Sequence, residues 1–376
     1  MDLVNVILIY GATFLGVLTV LVFVHEMGHY LVARWCGVRV DVFSIGFGRE
    51  IFGWNDRAGT RWKVGWMPLG GYVKFFGDAN AASAPDQELD LTEEERKVCF
   101  QYKPLGQRTA VVAAGPIANF LFAIFIFAAM FVIVGQPYTP AVISFVDEES
   151  AAAEAGFAVG DRVVEINEQP IERFEEIQAM VRLGLGRSLE VKVERDGAIV
   201  PLSVTPRIVE ITDQFGNIHR VGRLGIGVPE RAFARHGPVE AVWQGAKQTL
   251  FVTTSTLDAL GQMFAGDRSV EELRGPLGIA QMSGQAASIG IDAIIQFAAF
   301  LSISLGLINL FPIPMLDGGH LLFYAFEAVR GKPLGERSQE YGFRIGLAFV
   351  VTLMLFVTWN DLKNLPMVAD MIGLFS

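Results

Sequence analysis

Residues 3–24, LVNVILIYGATFLGVLTVLVFV, form an uncharged apolar run that leads directly into an H-E-M-G-H motif at residues 25–29. An apolar run of about 20 residues is long enough to cross a bilayer as a helix. Residues four apart lie on one face of a helix, so His25 and His29 can bind one zinc ion while Glu26 reaches its water. The sequence therefore predicts a metal site inside a membrane.

The position of this motif is informative because ionisable side chains in a membrane span are costly to desolvate. They persist where they face a protein interior, a cavity or a metal ion. The alternative is an amphipathic helix end, with both histidines at the membrane interface and Glu26 reaching water. The chain has only five histidines in 376 residues, and two of them complete this motif. We therefore favour the metal site.

Composition indicates an integral membrane protein with one additional domain. The chain has 376 residues, 52% of them hydrophobic, and its mean hydropathy is +0.40. This is too apolar for an ordinary soluble domain. The net charge of -10 argues against nucleic acid as a partner, because phosphate binding needs clustered Lys and Arg. Cys36 and Cys99 are predicted to be free thiols, too far apart in sequence to suggest a disulfide framework.

Four transmembrane helices are predicted, in segments 1–30, 109–135, 291–320 and 341–361. We expect the first to be retained, because it has no basic stretch before it and is too long for a signal peptide. Lys and Arg flank the loop between the first two helices and the loop between the last two. The positive-inside rule places both loops in the cytoplasm and the segment between the second and third helices on the opposite side.

That outer segment opens with a predicted α+β domain at residues 140–206. It contains a helix near residues 174–183 and a β-hairpin turning at Asp196 and Gly197, a dipeptide that favours tight hairpin turns. Residues 150–167, SAAAEAGFAVGDRVVEIN, resemble the signature of bacterial PDZ domains. The resemblance implies a groove that binds a peptide C-terminus by strand addition. A module that only spaces or obstructs is the alternative.

Residues 207–290 are predicted to be an amphipathic linker region. A helical pattern beginning at Pro238 places apolar side chains along one face, with a break expected at 253–255. Core packing and contact with the lipid surface are both compatible with this pattern.

A third zinc ligand is needed, because H-E-x-x-H supplies two of the three protein ligands of a catalytic zinc site. Asp317 follows the apolar run of the third helix, in NLFPIPMLDGGH at residues 309–320. Pro312 and Pro314 break the helix, which lets the carboxylate approach a partner. His320 is the alternative ligand. We favour Asp317, since such hydrolases commonly use two histidines and one carboxylate.

Residues 31–108 contain two stretches with strand-like alternation, one around Gly46 and Gly48 and one at 62–75. Peptide bonds in a transmembrane helix are shielded by intrahelical hydrogen bonds, so a protease must hold its substrate extended. Two strands returning towards the metal site could do this by strand addition. An ordinary cytoplasmic hairpin would give the same pattern.

Taken together, these motifs resemble the bacterial site-2 protease family, in particular its RseP-type members. They are H-E-M-G-H at 25–29, G-P-I-A-N at 115–119, L-D-G at 316–318 and the PDZ-like insertion. The resemblance implies Zn²⁺ bound by His25, His29 and Asp317, Glu26 as the catalytic base, and a re-entrant β-loop. Substrate handling is expected at Asn309, Gly46 and Gly48. Ser304 and the single PDZ-like domain depart from relatives that have a second asparagine and two PDZ domains.

The expected fold is a polytopic α-helical membrane protein with about four transmembrane helices, a re-entrant β-loop and an inserted α+β PDZ-like domain. The resemblance implies cleavage of a pre-trimmed single-span membrane protein, such as an anti-sigma factor, in regulated intramembrane proteolysis. It also implies the bacterial inner membrane, with the PDZ-like domain periplasmic and the active site near the cytoplasmic side.

Two other functions are compatible with a membrane metal site. A zinc transporter would favour further ionisable residues in the other spans, and spans two and four contain almost none. An inactive scaffold that only binds peptide ends would have no evident need for Glu26 and a complete ligand set.

Overall fold

The structure is a computed structural model that describes residues 3–78, 91–171, 173–183, 186–212, 218–227, 232–266, 270 and 273–363. Parts of the predicted 31–108 and 207–290 segments lie outside these residues. The chain divides into two units, one formed by Met1–Ala129 with Val239–Ser376 and one by Met130–Pro238. Among the described residues, four helices are long and apolar enough to cross a membrane: Ile9–Trp35, Leu105–Ile133, Ile291–Leu310 and Arg337–Lys363.

The first half of the membrane unit contains a long helix, a β-hairpin and a second long helix. Its elements are α1 (Leu3–Trp35), β1 (Val40–Asn55), β2 (Arg61–Phe75), α2 (Glu93–Val98) and α3 (Leu105–Ile133). After α1 the chain turns at Gly37, whose φ of 69° suits a residue without a Cβ atom. Helix α2 begins with a capping box in which Thr92 and Glu95 satisfy each other's backbone N–H groups.

The β-hairpin is an antiparallel pair with repeated bulges, and it is attached to α1 at its tip. Asp56 Oδ1 accepts the backbone N–H groups of Ala58 and Thr60, which closes the turn. Asp56 Oδ2 accepts hydrogen bonds from Trp62 Nε1 and from Tyr30 Oη on α1. The base of the hairpin packs into a hydrophobic core with α1 and the start of α3, so the sheet is held beside the helix that carries the H-E-x-x-H motif.

The second unit is an α+β domain. Its elements are β3 (Gln136–Tyr138), β4 (Phe145–Val146), α4 (Ala151–Glu154), β5 (Arg162–Ile166), β6 (Gln169–Pro170), α5 (Phe174–Leu183), β7 (Leu189–Arg195), β8 (Ala198–Val204), β9 (Arg207–Thr212), β10 (Ile218–Arg223), β11 (Ile226–Gly227) and β12 (Ala232–Ala234). A four-stranded sheet has the order β6-β5-β7-β8. The other strands form three antiparallel pairs: β9 with β10, β4 with β11, and β3 with β12.

The structure shows an α+β domain inserted between α3 and α6, and this domain extends beyond the predicted 140–206. The expected hairpin is present, with positive φ angles at Asp196 and Gly197 in its turn. Leu224 belongs to the same buried core as the strands of the four-stranded sheet, and Ile226 packs against that core. Residues assigned from sequence to a linker therefore complete this domain. Strands β9 and β10 pair with each other, whereas β11 and β12 are short and pair with the distant strands β4 and β3, which local sequence patterns do not reveal.

The second half of the membrane unit contains α6 (Pro238–Ala265), α7 (Pro276–Ile289), α8 (Ile291–Leu310), α9 (Asp317–Arg330) and α10 (Glu336–Lys363). Helix α6 runs through 253–255 without a break, and the hydroxyl of Thr253 donates to the Thr249 carbonyl within the helix. The buried carboxylate of Asp361 on α10 accepts the backbone N–H groups of Gly275 and Gly278, so the end of α10 caps the start of α7.

The third transmembrane helix is shorter than the predicted 291–320. Helix α8 ends at Leu310, and Phe311 takes an extended conformation with ψ of 141°. A residue that precedes proline is disfavoured in the helical region, and Pro312 has no N–H to donate, so the helix ends here. Asp317 therefore does not end the third span; it begins a separate helix, α9. The chain reverses between the two helices through residues 311–316.

Candidate metal centre

Three potential metal ligands from two distant segments meet in the membrane unit. His25 and His29 lie one turn apart on α1, and Asp317 is the first residue of α9. Their ligand atoms all lie within 4.8 Å of one another. Asp317 Oδ2 is 3.1 Å from His25 Nε2 and 3.5 Å from His29 Nε2, and the two Nε2 atoms are 3.2 Å apart. Both histidines are buried.

The imidazole of His29 is oriented by a backbone carbonyl. His29 Nδ1 lies 2.8 Å from the carbonyl oxygen of Val111 on α3. A carbonyl oxygen only accepts hydrogen bonds, so Nδ1 carries the proton in the neutral ring and Nε2 keeps its lone pair. This second partner fixes both the tautomer and the ring direction, as in many metal-binding histidines. The lone pair of Nε2 then faces Asp317.

Asp317 reaches this position through a tightly packed turn. Met315 has a φ of 94°, which is rare for a residue with a side chain and marks a constrained backbone. Cβ atoms added at Gly318 or Gly319 would collide with backbone atoms of the turn, including the carbonyls of Phe311 and Ile313. The carboxylate also lies in the first turn of α9, where the helix dipole favours negative charge.

Asp317 Oδ2 is buried and has no hydrogen-bond donor in suitable geometry, although His25 Nε2 lies 3.1 Å away. A buried carboxylate oxygen without a donor is costly unless a cation binds it. The three side chains therefore bring two imidazole Nε2 atoms and one carboxylate oxygen around a common position, and the carboxylate oxygen is left without a donor. Two His and one carboxylate leave a fourth coordination position open for water or substrate, which is the composition of a catalytic zinc site.

Glu26 lies on the same helix, next to the hairpin. A Cβ atom added at Gly71 of β2 would lie 3.2 Å from Cγ of Glu26 and 2.7 Å from Cγ1 of Val22. Strand β2 therefore passes directly over the acidic residue of the motif, and glycine at position 71 permits this close approach.

Small residues also permit the close contact between α1 and α3. A Cβ atom at Gly28 would lie 2.8 Å from Cβ of Ala118, and one at Gly115 would overlap the ring of His29. Such contacts allow two membrane helices to approach closely. The G-P-I-A-N segment of α3 is thus part of the wall of the metal centre.

Comparison with known proteins identifies the chain. A family model described as peptidase family M50 matches residues 13–353. The chain belongs to this family. "Putative zinc metalloprotease R01501" of Rhizobium meliloti is 50% identical over 357 residues, which cover 93% of this chain and 96% of the relative. "Metalloprotease MmpA" of Caulobacter vibrioides is 38% identical over 394 residues, covering 98% and 99%.

One solved structure, the PDZ domain of an SdrC-like protein from Listeria monocytogenes, matches 24% of this chain and 88% of its own chain, with 15% identity and a TM-score of 0.19. The M50 family is the site-2 protease family, so the resemblance seen in the motifs is confirmed, and the protein is an intramembrane zinc metalloprotease. Zinc is its cofactor. The donor set at His25, His29 and Asp317 fits that ion.

The other predicted site residues of this M50 peptidase lie elsewhere. Asn309 donates from Nδ2 to the carbonyl of Leu305 in its own helix. Gly46 and Gly48 lie in the bulged part of β1 with φ angles of 83° and 86°. His320, the alternative ligand, is outside the group formed by the two histidines and Asp317 in the described residues and packs against the ring of Phe343. Substrate handling by Asn309, Gly46 and Gly48 stays a prediction.

Two contributors to the centre were not assigned a role from sequence. The Val111 carbonyl could not be identified from sequence, because every residue has a backbone carbonyl. Asn119 is an amide within an apolar span, and its placement beside Gly115 and Pro116 was compatible with simple helix packing. The structure places its side chain against His25.

Proposed function

We propose that this M50 peptidase hydrolyses a peptide bond within the transmembrane segment of a single-span membrane protein, with zinc bound by His25, His29 and Asp317 and with Glu26 as the general base. The observation that carries the proposal is the convergence of the three ligand atoms within 4.8 Å, two of them on a membrane-spanning helix that also carries Glu26. An acid adjacent to a two-histidine, one-carboxylate site is the arrangement of a zinc-dependent peptidase.

A zinc ion held by His25, His29 and Asp317 would supply Lewis-acid chemistry there, activating water and polarising a carbonyl group. Glu26 accepts a proton from the attacking water and later donates one to the nitrogen of the departing amine. Val111 holds His29 with its Nε2 lone pair free. The tight turn before α9 holds Asp317 at the same position. Together these residues fix the reacting groups before substrate arrives, which lowers the entropic cost of the reaction.

The hairpin supplies a surface for an unwound substrate. In the described residues, residues 42–45 of β1 pair with β2 on both sides, whereas residues 71–74 of β2 pair with β1 on one side only and so have a free edge. Strand β2 lies against Glu26 at Gly71. A substrate segment added to this edge would satisfy its backbone groups by hydrogen bonding and leave its peptide bonds accessible. We assign Gly46 and Gly48 of the hairpin, and Asn309 of α8, to substrate handling.

The proposed substrate is trimmed on its outer side before this cleavage, as an anti-sigma factor is in regulated intramembrane proteolysis. The PDZ-like domain has a groove of about 420 Å³ between α5 and β11, lined by Phe174, Ile177, Val181 and Ile226 among others. Such a groove can take a peptide C-terminus beside a strand. We place the domain in the periplasm and the protein in the bacterial inner membrane, on the distribution of Lys and Arg in the loops.

The test uses the purified full-length protein in detergent with a single-span reporter, in one form trimmed on its outer side and in one form intact. Wild type, Glu26→Gln and the exposed control Glu93→Gln are compared for cleavage and for zinc content. We expect zinc in all three proteins, cleavage of the trimmed reporter by wild type and Glu93→Gln, and loss of cleavage in Glu26→Gln. Cleavage by Glu26→Gln would overturn the assigned mechanism.

The two reporter forms test the substrate class separately from the chemistry. Preference for the trimmed form supports the proposed requirement for prior trimming. Equal cleavage of both forms would remove that requirement while leaving the metal site and Glu26 in place. A wild-type protein that holds zinc and cleaves neither reporter would contradict a single-span substrate of this kind.

A further inference from the structure

Asn119 is the most completely buried polar side chain at the metal centre, and it lies behind His25. It is 0% exposed. Its Nδ2 position is 3.1 Å from His25 Nδ1, the ring nitrogen that faces away from Asp317. Its backbone carbonyl accepts a hydrogen bond of 2.8 Å from Ser302 Oγ on α8, and the backbone of Gly306 packs against its Cβ. The position of this amide is therefore fixed by two neighbouring helices.

The amide as oriented leaves one atom unsatisfied. Asn119 Oδ1 is buried and has no hydrogen-bond partner. In this orientation Nδ2 donates to His25 Nδ1, which requires the proton of the neutral ring to sit on Nε2. A protonated Nε2 has no lone pair to offer a metal ion. A half-turn of the terminal amide exchanges its oxygen and nitrogen without moving any other heavy atom.

We propose that Asn119 is a positioning residue for zinc: in the metal-bound protein its Oδ1 accepts the N–H of His25 Nδ1, which leaves the His25 Nε2 lone pair facing the ion. This inference rests on the proposed ligand set. It gives the buried Oδ1 a donor. It also gives both imidazoles the same support, since His29 Nδ1 already donates to the oxygen of Val111. An oxygen acceptor behind a ligating histidine fixes its tautomer and raises its basicity.

The alternative role is packing between membrane helices, in which the amide acts only by its size and polarity. The two roles differ in what they require of the side chain. A positioning residue must supply a hydrogen-bond acceptor to Nδ1. A packing residue needs only a side chain of suitable volume. If Nδ2 instead stays towards the ring, the side chain must supply a hydrogen-bond donor to His25 Nδ1.

The experiment compares Asn119→Leu, Asn119→Asp and wild type as purified full-length proteins in detergent. Leucine keeps a similar volume and removes the acceptor, whereas aspartate keeps the shape and supplies an ionised acceptor without a donor. Zinc affinity is measured by competition with a chelator, and the ligand environment by the visible absorption of the Co²⁺-substituted protein. Cleavage is recorded as well but does not decide the question.

We expect Asn119→Leu to weaken zinc binding by about 10- to 100-fold and to alter the Co²⁺ spectrum. The zinc affinity of Asn119→Asp should stay within roughly 3-fold of wild type, because its carboxylate oxygen still accepts a hydrogen bond from His25 Nδ1. Unchanged zinc affinity in Asn119→Leu would overturn the proposal. So would a loss in Asn119→Asp as large as in Asn119→Leu, since this would show that the donor matters.

Two further variants separate failure of this inference from failure of the ligand assignment. His25→Ala must lose zinc if the proposed ligand set holds; if it keeps zinc, the ligand set is wrong and the role of Asn119 falls with it. If His25→Ala loses zinc while Asn119→Leu keeps it, only the positioning role is wrong. Should Asn119→Leu fail to fold, Asn119→Asp still decides, because retained zinc affinity supports an acceptor and lost affinity contradicts one.

Discussion

Gly115 of α3 lies directly against the imidazole of His29, so that a Cβ atom at position 115 would overlap the ring at Nε2 and Cε1. The ring cannot retreat freely, because His29 Nδ1 is bonded to the Val111 carbonyl on the same helix. We therefore expect Gly115→Ala to displace Nε2 from the position it shares with Asp317. Zinc content should fall, and cleavage of a trimmed reporter should fall by about 100-fold, as for misplacement of a reacting group by about 1 Å.

A matched control for this substitution is Gly16→Ala, because a Cβ atom at Gly16 meets nothing within 4 Å in the same membrane unit. It should keep full zinc content and activity. Zinc content is measured by metal analysis of the purified proteins. A Gly115→Ala protein with full zinc and wild-type cleavage would show that the ring can move without consequence.

Strand β2 gives a second prediction, which separates zinc binding from catalysis. A Cβ atom at Gly71 would press on the Ser44 carbonyl, Val22 and Cγ of Glu26, none of which is a proposed ligand. Gly71→Ala should therefore keep zinc and lower the rate of cleavage by about 10- to 100-fold, because it moves the base or the strand beside it. Gly106→Ala, where nothing lies within 4 Å, is the control. Loss of zinc in Gly71→Ala would contradict this separation.

Local patterns in the sequence were sufficient for much of the fold. The helix of the H-E-x-x-H motif follows from an uncharged run of apolar residues, and the turn between β7 and β8 follows from Asp196 and Gly197. Asp317 could be chosen as the third ligand because a carboxylate beside an apolar span needs a partner. The structure brings it to both histidines, as expected.

Other features depend on contacts between distant segments, which local patterns do not encode. The third helix was predicted to continue past Leu310 because residues 311–316 are mostly apolar. Pro312 indicates the true end of α8. The short strands β11 and β12 were assigned to a linker, because each is stabilised by a strand about 80 to 95 residues earlier in the chain. The contact between Asn119 and His25 joins residues 94 positions apart. No pattern within a single helix could have shown it.

Arg108 and Glu327 connect the start of α3 to α9, the helix that begins with Asp317. The guanidinium donates twice to the carboxylate, at 2.5 and 3.2 Å, and it also lies over the ring of Tyr324. Both side chains are mostly buried, at 13% and 15% exposed. Because each substitution places two like charges together at a mostly buried position, Arg108→Glu and Glu327→Arg should each lower the free energy of unfolding by at least about 3 kcal/mol and reduce zinc retention.

The double variant Arg108→Glu with Glu327→Arg should recover a large part of both losses, because it restores opposite charges at the same position. Lys97 and Glu94 form an exposed pair on α2, and reversing that pair should change stability by less than about 1 kcal/mol. Thermal unfolding in detergent and zinc retention during dialysis against a chelator provide the measurements. Absence of recovery in the double variant would show that the pair does not act through its charges.

Asp161 gives the PDZ-like domain a stability that depends on pH. Its carboxylate is buried and accepts hydrogen bonds of 2.7 Å from both Nε and Nη2 of Arg195 and one of 2.9 Å from the Ala158 N–H. Burial acts to raise the pKa of Asp161, but the bonds from Arg195 and Ala158 outweigh it and hold the pKa below its usual range. The stabilisation is therefore complete above the unfolded pKa of about 3.9 and is lost as the pH falls through the lower folded pKa.

This dependence can be measured as hydrogen exchange of the β5 amides in the full-length protein, corrected for intrinsic exchange rates. Wild-type protection should stay level from pH 7 to about pH 4 and then decline, since the unfolded carboxyl group binds its proton near pH 3.9. Asp161→Asn should be less protected at pH 7 by about 1–3 kcal/mol, because the buried side chain no longer offers a charged acceptor to Arg195 and Ala158. It should also lack most of the acid decline.

The exposed pair of Glu165 and Lys192 provides the control Glu165→Gln, for which a change below about 1 kcal/mol is expected. Equal protection of Asp161→Asn and wild type at pH 7 would show that this carboxylate does not stabilise the domain.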